Sequence, residues 1–440
     1  MDAFRITGGV PLHGTVVLSG AKNAASKMII ASLLTDEPVI LKNVPRQRET
    51  EITCEIAENV GAKIEWLDAH TLKIHTPTIA QTQVKKQSRK NRISILTLPP
   101  LLHRAGQAFM PSVGGDQIGP RPVNWHLMVL KKMGARVKEN ADGYQASVDG
   151  RLKGALIELP YPSVGATESA ILSSVLADGR TVIRNAASEP EIMELIMLLQ
   201  KMGAIIQINS GRSYEIIGVS KLRGCEATVM PDRIEAASFA CMALGTKGDI
   251  FIKNAEHRHL MTFLNMVRRI GGEYEVKEDG IRVWAPNGFQ GIELETDAHP
   301  GFATDWQQPF VVLLTQAVGT SVVHETVYEG RFGYAKELMQ MGAEIALFSN
   351  CLGEVDCRFK GHNYKHSAVI NGPTPLKAID MVVPDIRAGL ALVVAALTAK
   401  GTSTLTGIEH LARGYENLEA KLKYVGAQIE KIQVPDPPKK

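Results

Sequence analysis

The stretch SVGGDQIGPRPVNWH, Ser112 to His126, sets a carboxylate, Asp116, behind two glycines and places a guanidinium, Arg121, a few residues on. A carboxyl group can give or take a proton, and a guanidinium can grip a phosphate or carboxylate with two parallel hydrogen bonds. Gly-Gly-Asp is also ordinary turn composition, so the pair gains meaning only from similar pairs elsewhere. Where long apolar stretches begin stand Lys22, Arg92, Glu168, Asp232 with Arg233, Asp305, and Asp385 with Arg387; MPDRIEA and VPDIRAG are almost one phrase. Loops leading into more polar helices carry Arg46 and Arg48, Arg121, Glu189 and Glu191, Arg258, Glu329 and Arg331, and Arg413. Carboxylates at a helix N-terminus accept hydrogen bonds from its free N–H groups, worth about 1 kcal/mol. Arginines there face the positive end of the dipole, which points to an anion site, with plain salt bridges as the alternative.

The elements that position these residues repeat. Six times a helical pattern ends at a glycine followed by a strand: NVGAKIEW, KKMGARVKE, QKMGAIIQI, RRIGGEYEV, MQMGAEIAL and KYVGAQIEK, at Gly61, Gly134, Gly203, Gly271, Gly342 and Gly426. In the copy from Leu260 to Ile270, apolar residues at Leu260, Phe263, Leu264, Val267 and Ile270 form one helical face. Arg268 and Arg269 suit the negative end of that helix, and Gly271 suits a left-handed cap. The strands EYEV and IRVW follow around the turn KEDG. A more apolar helix opens each repeat: KNAASKMIIASLL, TESAILSSVLA, IEAASFACMALG, WQQPFVVLLTQAVG and RAGLALVVAALTA, with RISILTLPPLL necessarily bent or short at Pro99 and Pro100. Each repeat therefore reads as buried helix, strand, loop, amphipathic helix and two strands. Three repeats closing around their buried helices make one domain, and six make two.

A chain of 440 residues, 45% apolar and 22% charged, suits two globular domains rather than a disordered protein. The net charge of +3 gives no case for nucleic acid or membrane binding, and the basic run KKQSRKNR reads first as a solvated face. No apolar run is long enough to span a bilayer, and MDAFRITGG lacks a signal-peptide pattern. Cys54, Cys225, Cys241, Cys351 and Cys357 have no C-x-x-C spacing and suggest no zinc site; reduced thiols in the cytoplasm are expected.

In order along the chain, SGAKNA (Ser19 to Ala24), GGDQIGPRPVNWH, SVGAT (Ser163 to Thr167), NAASEPEI, PDRIEA, ATDWQQ, ETVYEGRF and RGYENLEAKL resemble the UDP-N-acetylglucosamine 1-carboxyvinyltransferases (enolpyruvyl transferases) of the EPSP synthase superfamily. The resemblance runs the whole length. It implies an α/β fold of two inside-out domains, each of three repeated units around buried helices, with the active site in the interdomain cleft. On this reading 1–21 with 230–440 form the first domain and 22–229 the second. It implies transfer of the enolpyruvyl group of phosphoenolpyruvate to the 3′-hydroxyl of UDP-N-acetylglucosamine with release of phosphate, a step of peptidoglycan synthesis. No metal or cofactor, no nucleic acid, no membrane and a monomer are implied.

The resemblance also assigns residues. Lys22, Arg121 and Arg413 would line the phosphoenolpyruvate pocket, with Arg331 and Arg387 adding to the positive field and Asn23 beside the reacting carbons. Asp305 would be the base facing the 3′-hydroxyl, and Asp385 would position the cations. Arg92, the backbone of Arg121, Pro122 and Val123, Asn124, Ser163, Gly165 and Val327 would face the nucleotide. His126, Glu189, Glu191, Asp232, Arg233 and Glu329 would support these or take part in closure. Asp116 occupies the place usually held by a cysteine that assists as general acid, so the thiol alkylated by fosfomycin is replaced by a carboxyl.

Some positions depart from the family pattern: Asn124 stands where an aspartate is usual, Arg48 for a lysine, Gly330 inside the usual E-N-R, and Ala412 before RGYE. The stretch Asn350 to Lys377 is longer than usual. Transfer to a different nucleotide sugar, or a catalytically weak protein that binds UDP-N-acetylglucosamine, are the alternatives. The sister activity on shikimate 3-phosphate lacks its L-P-x-S-K-S opening and GNAGTAMR loop here.

Overall fold

A computed structural model describes residues 1–84, 92–112, 122–355 and 357–435. Asp116 and Arg121 lie outside the described residues. The chain divides into two compact units. One takes Met1–Ser19 and the residues from Pro231 onward, and the other takes the described residues between Gly20 and Met230. Each has its own hydrophobic core, with no buried apolar residue shared.

All six repeat glycines adopt positive φ, from 88° at Gly426 to 118° at Gly61. A side chain would be strained there, so glycine ends the amphipathic helix and turns the chain into the next strand. The repeat around Gly271 follows its pattern closely. A helix Met261–Ile270 buries Phe263, Leu264, Val267 and Ile270, and the strands Glu273–Lys277 and Gly280–Trp284 pair antiparallel behind it.

In the first unit the apolar helices Arg233–Gly245, Thr304–Leu314 and Ile386–Thr398 pack on one another. Every residue from Ile386 to Leu397 is buried, which is why this stretch has no polar face. Phe263, Phe302, Trp306 and Phe310 interlock there, edge-on at centroid distances of 5.4 to 5.9 Å except for the tilted Phe263–Phe302 pair at 6.3 Å. In the second unit Val164–Ser174 packs on Leu98–Ala105, while Lys22–Ala31 packs on Arg48–Asn59 and Pro190–Lys201. The prolines act as expected. A 3-10 turn Ile93–Thr97 leads into the short helix, where Pro99 and Pro100 fall in the first turn and lose no needed N–H.

The strands that link repeats obey one rule. Leu156–Glu158, Glu293–Glu295 and Met381–Val382 each precede an apolar helix and pair parallel with the strand after it. Where the chain passes between units the rule is exchanged. His13–Val17 stays in the first unit beside Asp249–Lys253, and Glu226–Thr228 stays in the second beside Val39–Lys42. Among the described residues the sixth repeat has one strand after its helix, Gln428–Gln433, and the strand Asp2–Gly8 takes the place of the second. That strand also pairs with Gly401–Thr406. No described helix is long and apolar enough to cross a membrane.

Candidate active site

In the first unit the ends of the central helices converge on Asp305. This residue lies in the first turn of Thr304–Leu314, and its two carboxylate oxygens are divided between two arginines. Arg331 Nη2 donates to Oδ1, and Arg387 Nε lies 3.2 Å from Oδ2. Both guanidinium side chains are almost fully buried, at 2% and 5% exposure, whereas Asp305 keeps 23%. Burial works against the charged form of each arginine. Asp305 and Glu325 beside Arg331, and Tyr415 and Asp305 beside Arg387, outweigh it and hold both above the usual range.

Arg387 sits in the first turn of its helix, where a cation opposes the dipole. Asp385 offsets this as the N-cap, accepting from the N–H groups of Arg387 at 2.9 Å and Ala388 at 3.0 Å. Arg387 Nη1 also donates to the Tyr415 hydroxyl at 2.6 Å. Its Nη2 is buried and has no hydrogen-bond partner among the described residues. Arg413 lies two residues before Tyr415, half-buried; Gly414 between them presses on Ile386 so closely that a Cβ would come within 2.3 Å of Ile386 Cγ2. The loop bearing Arg413 is thereby fixed against the start of the Arg387 helix. Asp232 caps the third central helix in the same way, through Ile234 and Glu235 N–H, and Arg233 lies over the Trp306 ring at 5.2 Å.

Glu325 is a residue that sequence reading missed. It is fully buried, accepts from the Thr304 hydroxyl at 2.9 and 3.0 Å, and accepts from the amides of Val327 and Tyr328 at 2.9 and 3.1 Å. It ties the Asp305 turn to the loop that runs through Val327 and Glu329 to Arg331. Its only sequence signal is a carboxylate at a strand end, in HETVYEGRF.

In the second unit a separate group assembles. Arg92 Nη2 reaches the Pro122 carbonyl at 3.5 Å. Val123 is the N-cap of Asn124–Lys132, whose Trp125 stacks on Tyr161, and Asn124 is exposed. His126 on this helix is buried, and desolvation, with Arg92 adding to it, pulls its imidazole down to about 3. Its ring occupies the space a side chain at Gly165 would need, 2.9 Å from a Cβ placed there, so any larger residue at 165 would have to displace the ring. Ser163 caps the helix Val164–Ser174, which carries Gly165, by accepting from Ala166 N–H at 3.4 Å. Arg92 and Gly165 thus meet at a His126-centred corner, with Pro122, Val123 and exposed Asn124 at the start of the His126 helix and Ser163 at the start of the Gly165 helix.

Lys22 and Asn23 open the helix Lys22–Ala31 with no carboxylate in its first turn. On the same helix Lys27 lies 3.6 Å from buried Glu168, whose carboxyl burial pushes up to about 7, with Glu191 and Glu189 raising it further. Glu189 is the N-cap and Glu191 a first-turn residue of Pro190–Lys201.

Two expectations need correction. The sequence pattern groups Arg48 and Arg258 with the anion-seeking arginines, but Arg48 pairs with Glu51 and Glu55 on its own helix at 3.0 and 2.8 Å, and Arg258 pairs with Glu256 at 3.1 Å. Arg46 lies over the Trp66 ring at 3.8 Å. Local carboxylates and an aromatic face meet these three. The spacing of the cysteines suggests no metal-ligand group, yet the fold brings Cys351 and Cys357 together with His324 and His366.

The family model for EPSP synthase (3-phosphoshikimate 1-carboxyvinyltransferase) matches residues 6–422. A UDP-N-acetylglucosamine 1-carboxyvinyltransferase of Protochlamydia amoebophila is 46% identical over 98% of this chain and 95% of its own. One of Chlamydia trachomatis is 48% identical over 98% of both. Among solved structures, the enolpyruvyl transferase NikO from Streptomyces tendae superposes with a TM-score of 0.87 at 25% identity, covering 99% of both chains. An EPSP synthase from Acinetobacter baumannii superposes with a TM-score of 0.78 at 17% identity over 98% of this chain and 100% of its own, a likeness of fold alone.

Proposed function

Since the chain belongs to the UDP-N-acetylglucosamine 1-carboxyvinyltransferase family, we propose that it transfers the enolpyruvyl group of phosphoenolpyruvate to the 3′-hydroxyl of UDP-N-acetylglucosamine and releases phosphate, in the cytoplasm, toward peptidoglycan. The observation that carries the reading is Asp305 held between buried Arg331 and Arg387, with Arg387 Nη2 left without an acceptor among the described residues. A buried guanidinium donor without an acceptor is costly unless a ligand supplies one, and a phosphate or carboxylate does so well.

In the reaction the hydroxyl oxygen bonds to C2 of phosphoenolpyruvate while C3 gains a proton. The tetrahedral intermediate then loses C3–H and phosphate. In this reading Lys22, Arg121 and Arg413 take the phosphoenolpyruvate anion, Arg331 and Arg387 add to its field, and Asn23 lies beside the reacting carbons. Asp305 takes the hydroxyl proton and Asp116 delivers a proton to C3. The His126-centred corner, with Arg92, Pro122, Val123, Asn124, Ser163 and Gly165, receives the nucleotide together with Val327. Glu189, Glu191, Asp232, Arg233, Glu329 and Asp385 hold these groups in place. No metal is assigned a step.

The test is phosphate release by purified protein with phosphoenolpyruvate and UDP-N-acetylglucosamine, from acid to neutral pH. Sustained release with formation of the enolpyruvyl ether is the expected result. Tight UDP-N-acetylglucosamine binding without phosphate release would refute it.

A further inference from the structure

The strand Ala317–His324 pairs antiparallel with Ser367–Gly372, and His324 stands opposite Ser367. His366 is thus brought to the same end of the sheet. Between the strand Glu344–Phe348 and His366 the chain makes the long excursion that contains Cys351 and Cys357. One donor atom from each of His324, Cys351, Cys357 and His366 lies within 4.8 Å of every other.

Both imidazoles are already turned inward. His324 is fully buried, its Nδ1 is 3.1 Å from Glu295 Oε2, and its Nε2 has no hydrogen-bond partner among the described residues. His366 is also fully buried; its Nδ1 is 2.8 Å from the Tyr364 carbonyl and its Nε2 is 3.5 Å from Cys351 Sγ. A carboxylate on one ring and a carbonyl on the other are the outer partners that fix a metal-binding histidine. The Phe359 amide donates to Cys357 Sγ at 3.4 Å, as amides do to a sulfur carrying negative charge.

Glu295 also accepts from the Glu354 and Val355 amides at 2.8 and 2.9 Å, so it shapes the excursion as well as orienting His324. Gly353 is part of that shape: a Cβ would fall 2.3 Å from Glu295 Oε2 and 2.4 Å from His324 Nδ1.

We propose that His324, Cys351, Cys357 and His366 bind one zinc ion as a closed structural site. Two thiolates and two imidazoles suit tetrahedral zinc, and four protein ligands leave no open position for catalysis. Bond lengths of about 2.3 Å to sulfur and about 2.0 Å to nitrogen set sulfur and nitrogen about 3.5 Å apart in a tetrahedron, in agreement with the 3.5 Å between Cys351 and His366. Binding converts two thiols to thiolates and releases their two protons to solvent. A Cys351–Cys357 disulfide is the competing use of the sulfurs, but it would leave the inward Nε2 of His324 buried with no partner.

The site also has a mechanical consequence, which rests on the proposed function. Arg358, next to Cys357, donates to the Val327 carbonyl and lies 3.7 Å from Glu329. A metal that pins the excursion therefore braces the loop assigned to the nucleotide.

The test begins with metal analysis of the full chain purified under reducing conditions without chelator. One zinc per chain is expected, and cobalt exchanged into the protein should show the visible bands of a tetrahedral site with a thiolate charge-transfer band. Cys351→Ser combined with Cys357→Ser should lose both signals. Reduced wild-type protein that takes up neither zinc nor tetrahedral cobalt would overturn the proposal, whatever the variant does. Zinc retained in full by the double variant would overturn it too. Stripped protein should show a several-fold higher KM for UDP-N-acetylglucosamine. If neither form releases phosphate, the proposed function fails while the metal result stands by itself.

Discussion

Replacing Asp305 by asparagine removes one negative charge from between two buried guanidinium groups while keeping the side chain's shape. At an effective dielectric of about 20, unit charges at the 3.2 Å separation of Arg387 Nε and Asp305 Oδ2 attract by about 5 kcal/mol. The cost of desolvating both arginines and the 23% exposure of Asp305 reduce the net value. Losing the charge should therefore lower unfolding free energy by about 2–4 kcal/mol, a fraction of what the two Coulomb attractions add up to. Catalysis should respond on a different scale. Without its base, turnover should fall about a hundredfold to ten-thousandfold, or about 2.7–5.4 kcal/mol of barrier. Phosphate release at saturating substrates, measured where denaturant curves show the variant still folded, separates the two effects. The KM for phosphoenolpyruvate should not rise, because the variant's pocket is more positive. A folded Asp305→Asn protein with kcat within a few-fold of the unaltered enzyme would refute the assignment of Asp305 as base.

Gly165→Ala should destabilise the second unit by about 1–3 kcal/mol, since the new methyl meets the buried His126 ring at 2.9 Å; calorimetry should also show weaker UDP-N-acetylglucosamine binding, and unchanged melting and affinity would count against the His126-centred corner. Fosfomycin should not inactivate the protein with time, whereas Asp116→Cys should become sensitive; covalent inactivation of the unaltered chain is the contrary result. Glu168, held at about 7 by burial and only partly lowered by Lys27, keeps a proton in the native state that the unfolded chain releases above about pH 4.3. Its contribution to stability is thus present at low pH and is lost as pH rises through about 7. In Glu168→Gln the decline of unfolding free energy across that interval should flatten, and superimposable pH profiles would contradict this.

The repeat was legible because it rests on local physics. Gly271 and its five counterparts need positive φ wherever an amphipathic helix turns into a strand, and the Leu260–Ile270 face keeps its period without help from distant residues. Pro99 and Pro100 foretold a short helix for the same reason. Features that depend on distant partners were hidden. Nothing in Asp2–Gly8 says that its partners are Gly401–Thr406 and Gln428–Gln433. Cys351 and Cys357 lack a ligand-like spacing because His324 joins them from a preceding strand through sheet register. Arginines were misjudged where a carboxylate on the same helix sufficed, as at Arg48. Arg331 and Arg387 could be singled out by motif, but their shared carboxylate came only with the fold.

The strand Asp2–Gly8 lies between Gly401–Thr406 and Gln428–Gln433. During synthesis Asp2–Gly8 must therefore wait for Gln428–Gln433, which is made after the whole second unit. The second unit, drawn from the middle of the chain, can mature while that wait continues. Truncating the C-terminal strand should for this reason disturb the first unit's core at Phe4 and Ile6 and leave the second unit protected from protease.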